Sequence, residues 1–132
     1  MKISKDNDKN FNVDVLKKAM TKYAIVLPTA LNDFLMDNNG GKPIKKHIET
    51  EDDSYVVRRF MSLDPDSEYY IEKPLDYFLS KTKKRIVPIG IDEGSNYYCV
   101  NIENGKVYYW TAESDKYYMI SKTIDDFSKL FR

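Results

Sequence analysis

Histidine and cysteine are almost missing from this sequence: each occurs once, as His47 and Cys99. A lone cysteine excludes an internal disulfide framework. One residue of each kind excludes a zinc site of the usual Cys/His type built from this chain alone, and no metal or cofactor is expected. Glycine and proline number five each, too few for a linker-rich or low-complexity chain. No run approaches the roughly 18 apolar residues of a membrane helix. Residues 1–12 are charged and polar, without the apolar segment of a signal peptide. Formal net charge is zero, which argues against a general nucleic-acid binder, because neutralising phosphates takes a basic excess. These absences point to a soluble cytoplasmic protein with no membrane contact and no direct nucleic-acid contact.

What is abundant is tyrosine. Eleven Tyr, six Phe and one Trp accompany a 42% hydrophobic composition, which is that of a folded chain and not a disordered one. Tyrosine joins an apolar body to a polar tip and favours strands. The enrichment therefore indicates β-structure first and a binding surface second. The length of 132 residues fits a single domain, read as residues 13–132 behind a polar tail, 1–12, of which residues 1–10 are expected to fray.

The order of patterns is helices, strands, helix. Asn12 or Asp14 caps a first helix with the apolar stripe Val15, Leu16, Ala19, Met20 and Tyr23. Leu27-Pro28 breaks it, and Pro28 occupies the first turn of a second helix whose face is Ala30, Leu31, Phe34 and Leu35. Asn38-Asn39-Gly40-Gly41 ends that helix. Residues 42–54 form a polar loop or a short strand around 44–48. Residues 55–63 read as one strand, and Asp64-Pro65-Asp66-Ser67 as a turn. A third helix covers 71–80, with Pro74 in its first turn and Leu75, Phe78 and Leu79 as its apolar face. Strands follow at 86–91, 97–102, 107–111 and 117–121. Pro88 implies an edge position or a bulge, and Asn104-Gly105 a hairpin. Thr123 caps a last helix bearing Ile124, Phe127, Leu130 and Phe131. The fold class is α+β: a bent antiparallel sheet of about five or six strands with helices packed around it.

These landmarks resemble the SUKH superfamily, which includes the yeast Smi/Knr regulators and many bacterial immunity proteins. The resemblance is carried by Leu27-Pro28, Phe34-Leu35, Asn39-Gly40-Gly41, the strand 59–63, Val87-Pro88-Ile89-Gly90, Tyr98-Cys99-Val100, Asn104-Gly105 through Tyr108, Trp110, and the closing helix at 124–127. It implies structural roles for Leu27, Pro28, Phe34, Leu35, Asn39, Gly40, Gly41, Pro88, Gly105 and Trp110, no catalytic residues, and a protein partner. In bacteria that partner is typically a toxin encoded beside its cytoplasmic antidote, often a nuclease. The yeast members imply an alternative, a constitutive regulatory scaffold with no toxin partner.

The residues themselves offer little chemistry. Cys99 and His47 are the one nucleophile–base pair that can be drawn, but a cysteine in a Tyr-rich strand behaves as a small hydrophobe. Asn39-Gly40-Gly41-Lys42 follows a helix, whereas a phosphate cradle opens one. Adjacent acids such as Asp52/Asp53 or Asp125/Asp126 do not face each other on a helix or strand. The aromatic group Tyr97, Tyr98, Tyr108, Tyr109 and Trp110 is expected to split between the two faces of its hairpin, leaving either sheet stabilisation or an outer stacking platform for bases or sugars. The charge distribution says more. Between positions 47 and 79 there are nine acids against three bases, an excess of six. Glu51, Asp52, Asp53, Asp64, Asp66 and Glu68, with Tyr69 and Tyr70, are the candidate contacts for a basic protein partner. Exposed Tyr-rich strands also allow a weak homodimer by edge pairing, beside a monomer.

Overall fold

The structure is a computed structural model that describes residues 1–4 and 10–132. Helix α1 (Asp14–Tyr23) begins where Asn12 Oδ1 accepts the backbone N–H of Asp14 at 3.0 Å, a side-chain oxygen standing in for an absent helical carbonyl. Its stripe buries Val15, Leu16, Ala19 and Tyr23. Helix α2 (Thr29–Asp37) starts just after Pro28, whose extended ψ of 146° leaves it outside the first turn where the sequence put it. Leu31, Phe34 and Leu35 face the core, while Ala30, expected beside them, is exposed. Helix α3 (Glu72–Lys81) has Pro74 in its first turn and buries Leu75, Phe78 and Leu79. Helix α4 (Ile124–Lys129) is capped as expected: Thr123 Oγ1 accepts the N–H of Asp126 at 3.0 Å.

Seven strands form two antiparallel sheets. Strands β1 (His47–Glu49) and β2 (Ser54–Val56) make a ribbon. Strands β3 (Arg59–Phe60), β4 (Ile86–Ile91), β5 (Tyr97–Asn101), β6 (Val107–Thr111) and β7 (Lys116–Ser121) make a five-stranded meander in sequence order. The fold is α+β, as the order of patterns indicates. The single strand expected over 55–63 is instead divided between the sheets. Val57 N–H still donates to Lys46 C=O in the ribbon, and Arg58 N–H already donates to Ile91 C=O in the meander, each at 2.9 Å. Pro88 is not at an edge, because β4 lies between β3 and β5. The register slips between Pro88 and Gly90, and a bulge tolerates the missing N–H. The β5–β6 hairpin closes through Gly105 at φ 76°, where a side chain would strain the backbone.

Asn39-Gly40-Gly41 does more than end α2. Gly40, at φ 64°, turns the chain alongside β3. Its N–H donates to Met61 C=O at 3.0 Å, and Phe60 N–H donates to Gly41 C=O at 2.9 Å. Asn39 Oδ1 accepts the N–H of Leu63. The outer backbone of β3 is thereby covered. The N-terminus is also tied down where fraying was expected: Ser4 N–H donates to Lys42 C=O at 2.7 Å, and Ile44 N–H to Lys2 C=O at 3.1 Å. Residues 5–9 of the expected tail lie outside the described residues.

Strand alternation sends side chains to both faces of the meander. On one face Tyr98, Val100, Tyr109 and Ile120 join the main core with α1, α2 and α4, where Leu27, Phe34 and Leu35 are also buried. Phe127 sits among Phe34, Tyr98 and Phe131 at ring-centroid distances of 6.2, 6.1 and 5.2 Å. Such pairs add about 0.5–1.5 kcal/mol each beyond burial. On the other face Cys99, Trp110, Tyr97 and Tyr117 pack beneath Phe78 of α3. Phe78 stands edge-on to Trp110 at 5.0 Å and to Tyr97 at 5.5 Å. The rings that a one-sided sheet would expose are thus largely roofed by α3, which favours sheet stabilisation over a stacking platform.

Candidate protein-binding surface

The candidate acidic residues separate into two places. Glu51, Asp52 and Asp53 crown the β1–β2 turn and are exposed. Thr50 shapes this turn: its N–H donates to Asp53 C=O at 2.9 Å and its Oγ1 accepts Asp53 N–H at 3.2 Å. Threonine and aspartate are suited to such self-bonded turns. The ribbon faces the β4–β5 turn, whose Asp92 and Glu93 the sequence reading treated only as a connection. A groove of about 530 Å³ runs between them, walled by Lys46, His47, Asp53, Tyr55, Asp92, Glu93, Tyr98 and Tyr109.

Asp92 organises its own turn. Its Oδ1 accepts the N–H groups of Gly94 and Asn96, each at 2.9 Å, and its Oδ2 accepts the phenol of Tyr109. The spacing Asp92, Gly94, Asn96 is the sequence signal that could have found it, since a carboxylate two residues before glycine favours an Asx turn. Tyr55 packs against Tyr109 with ring centroids 5.1 Å apart and planes inclined by 55°, and Tyr98 donates its phenol proton to Val56 C=O at 2.7 Å, pinning the ribbon to the sheet. Burial pushes the phenol of Tyr55 up, with the charges of Asp53 and Asp52 adding to it. Burial likewise raises Tyr109, followed by its bond to Asp92. These phenols remain neutral hydrogen-bonding groups. Glu51, Asp52, Asp53 and Glu93 supply exposed negative charge, and Lys46 and His47 are the basic side chains among the groove walls.

The second place is the loop at 64–70. Asp64 is only 7% exposed, and its carboxylate accepts Asp66 N–H at 2.9 Å and Asn10 N–H at 3.3 Å. It shapes the loop and is withdrawn from any contact surface, contrary to its expected role. Asp66 and Glu68 are exposed. Tyr69 is half-buried under the guanidinium groups of Arg58 and Arg59, at 5.9 and 5.1 Å. Tyr70 is half-buried against the main core. This loop borders a different groove, which shares no wall residue with the first.

No grouping of three His, Cys, Asp or Glu suited to a metal occurs among the described residues. Cys99 is fully buried on the α3 side, where burial raises its thiol well above the usual value, and His47 is exposed on β1. They do not form a nucleophile–base pair. No helix among the described residues is long and apolar enough to cross a membrane.

Fold and surface together define a small α+β domain that presents acidic, tyrosine-bearing relief around an antiparallel meander. The chain belongs to the SMI1 / KNR4 family (SUKH-1), which matches residues 11–130. It is also similar to the SPbeta prophage-derived uncharacterized protein YokK of Bacillus subtilis (strain 168), with 28% identity over 92 residues. That alignment covers 65% of this chain and 47% of the relative, so the chain matches about half the length of this curated protein.

Proposed function

We propose that the protein is an immunity protein that neutralises a cognate toxin in the cytoplasm by forming a complex with it, without catalysis. Members of its family are generally immunity proteins and not enzymes. The observation that carries the reading is the acidic rim: Glu51, Asp52 and Asp53 on the ribbon opposite Asp92 and Glu93, over a floor of neutral phenols. A basic toxin surface is the complementary partner. Rim charges of this kind steer encounter, and aromatic rings beside them supply anchoring contacts. Because the whole chain is neutral, attraction of a basic partner depends on local clusters of charge such as this rim.

The test is co-expression with any toxin domain found encoded beside the gene in its native host, scored by growth and by recovery of a complex. The native chain should rescue growth, and association should slow as salt is raised. The triple variant Glu51→Lys/Asp52→Lys/Asp53→Lys should lose rescue and weaken the complex by about tenfold or more. Absence of a complex with the native chain, or a triple variant that protects as well as it, would sink the reading. Recovery of a housekeeping partner in place of a toxin would point to the regulatory scaffold instead.

A further inference from the structure

The seam between α3 and the meander carries relief that the acidic rim does not use. A depression of about 400 Å³ is bordered by Pro65, Glu68, Tyr69, Tyr70 and Glu72. A second, of about 310 Å³, is bordered by Tyr77, Phe78, Trp110 and Ala112. Lys73, Pro74 and Tyr97 are walls of both, so the two meet and make one trough. Its accessible rings are those of Tyr77 and the half-buried Tyr97, which lie 6.0 and 6.1 Å from the indole of Trp110, itself 6% exposed behind them. Tyr77 is 47% exposed.

Two features say what fits there. The phenol hydroxyls of Tyr70 and Tyr97 have no hydrogen-bond partner among the described residues, although both rings line the trough. At one end Glu68 and Glu72 are exposed and take part in no ion pair among the described residues. The bases nearby are Lys73, on the rim, Arg58 and Arg59, which are stacked on Tyr69, and at the other end Lys81, which lies over the rings of Tyr77 and Trp110 and is paired with Asp115. Arg59 is further engaged, donating to Gly40 C=O at 2.7 Å.

We infer that the trough holds an extended segment of a protein partner, apolar along Pro74, Tyr97 and Tyr77 and bearing an arginine or lysine at the Glu68–Glu72 end. An extended or polyproline II segment leaves its carbonyls unpaired, and these accept the free phenol protons. A helix would offer the trough no carbonyls. Proline and leucine side chains fill shallow aromatic troughs with little ordering cost. The inference rests on the protein-binding reading above and adds a second contact with its own chemistry.

Trp110 is the chain's one tryptophan and lies within 6.1 Å of the rings of Tyr77 and Tyr97, so its emission reports occupancy. The probe is a synthetic peptide Leu-Pro-Pro-Leu-Pro-Arg, titrated into the full chain, with a counterpart ending in Glu. A saturable change in emission is expected for the Arg peptide, about tenfold tighter than for the Glu peptide, equivalent to about 1.4 kcal/mol. Glu68→Lys/Glu72→Lys should reverse that preference, which a merely damaged fold cannot do. Tyr97→Phe, keeping the ring and losing the hydroxyl, should weaken binding by about three- to tenfold. No saturable change, or equal affinity for both peptides, overturns the trough. The rim variant Glu51→Lys/Asp52→Lys/Asp53→Lys should bind the peptide normally. If the peptide fails while the rim-dependent toxin complex persists, the trough alone is wrong. If the peptide binds and no toxin complex forms, the immunity reading fails and the trough stands.

Discussion

At the scale of residues, Asn39 shows how one polar side chain holds two segments in place. It is 3% exposed, and its Oδ1 accepts the backbone N–H of Leu63, with Ser62 Oγ at 3.5 Å. Removing the acceptor strands a buried donor, which costs about 1–3 kcal/mol. Asn39→Ala should therefore lower the unfolding free energy by that amount, read as a lower urea midpoint at an unchanged denaturant slope, whereas Glu51→Ala on the exposed turn should fall within about 0.5 kcal/mol of the native chain. An equal loss for both would show that Asn39 is not engaged as described. The sequence made Asn39 legible only as part of a helix end. Its bond spans 24 positions, and no local rule reaches that far.

At the scale of elements, helix ends were the easiest feature to read, because their chemistry is contained within a few residues. Thr123 is the clearest case, and Thr123→Ala should cost about 1 kcal/mol, measured by chemical denaturation. Restoration by Thr123→Ser and no restoration by Thr123→Val would confirm the hydroxyl as the cause. The division of residues 55–63 was not legible. Both halves are extended and alternate alike, and only their distant partners, Lys46 for Val57 and Ile91 for Arg58, separate them. The same blindness split the candidate site. Glu51, Asp52 and Asp53 are close in sequence to Asp64, Asp66 and Glu68, yet the chain changes sheets between the groups and sends them to separate grooves. Asp92 and Glu93, 40 positions beyond Asp52 and Asp53, face the ribbon instead.

At the scale of the whole molecule, tyrosines tie global stability to alkaline pH. Burial raises the phenols of Tyr98 and Tyr109, and pushes Tyr117 up to about 12, from an ordinary value of 10.0. The Tyr117 hydroxyl is itself buried with no hydrogen-bond partner among the described residues. Below the ordinary value both folded and unfolded chains keep these protons, and the full stability is present. Above it the unfolded chain ionises first and binds fewer protons, so stability falls as pH rises. Thermal midpoints should be level up to about pH 10 and then drop steeply through pH 12. Phenolate absorbance should show part of the tyrosine titrating only as the chain unfolds. A smooth titration of all eleven tyrosines without loss of fold would contradict the burial described.

The cover that Asn39-Gly40-Gly41 lays along β3 also limits how copies can grow on one another. With that flank occupied, β7 is the border of the meander with no further backbone partner among the described residues. Pairing of β7 with β7 of a second copy would consume that border of each meander, so growth of the meander by this pairing would stop at two copies. Were the Asn39–Gly41 cover to detach, each copy would present two sticky borders and the same pairing would continue without end. The short loop after α2 is therefore a terminator of sheet growth, and its loss would change a closed association into a fibril-forming one.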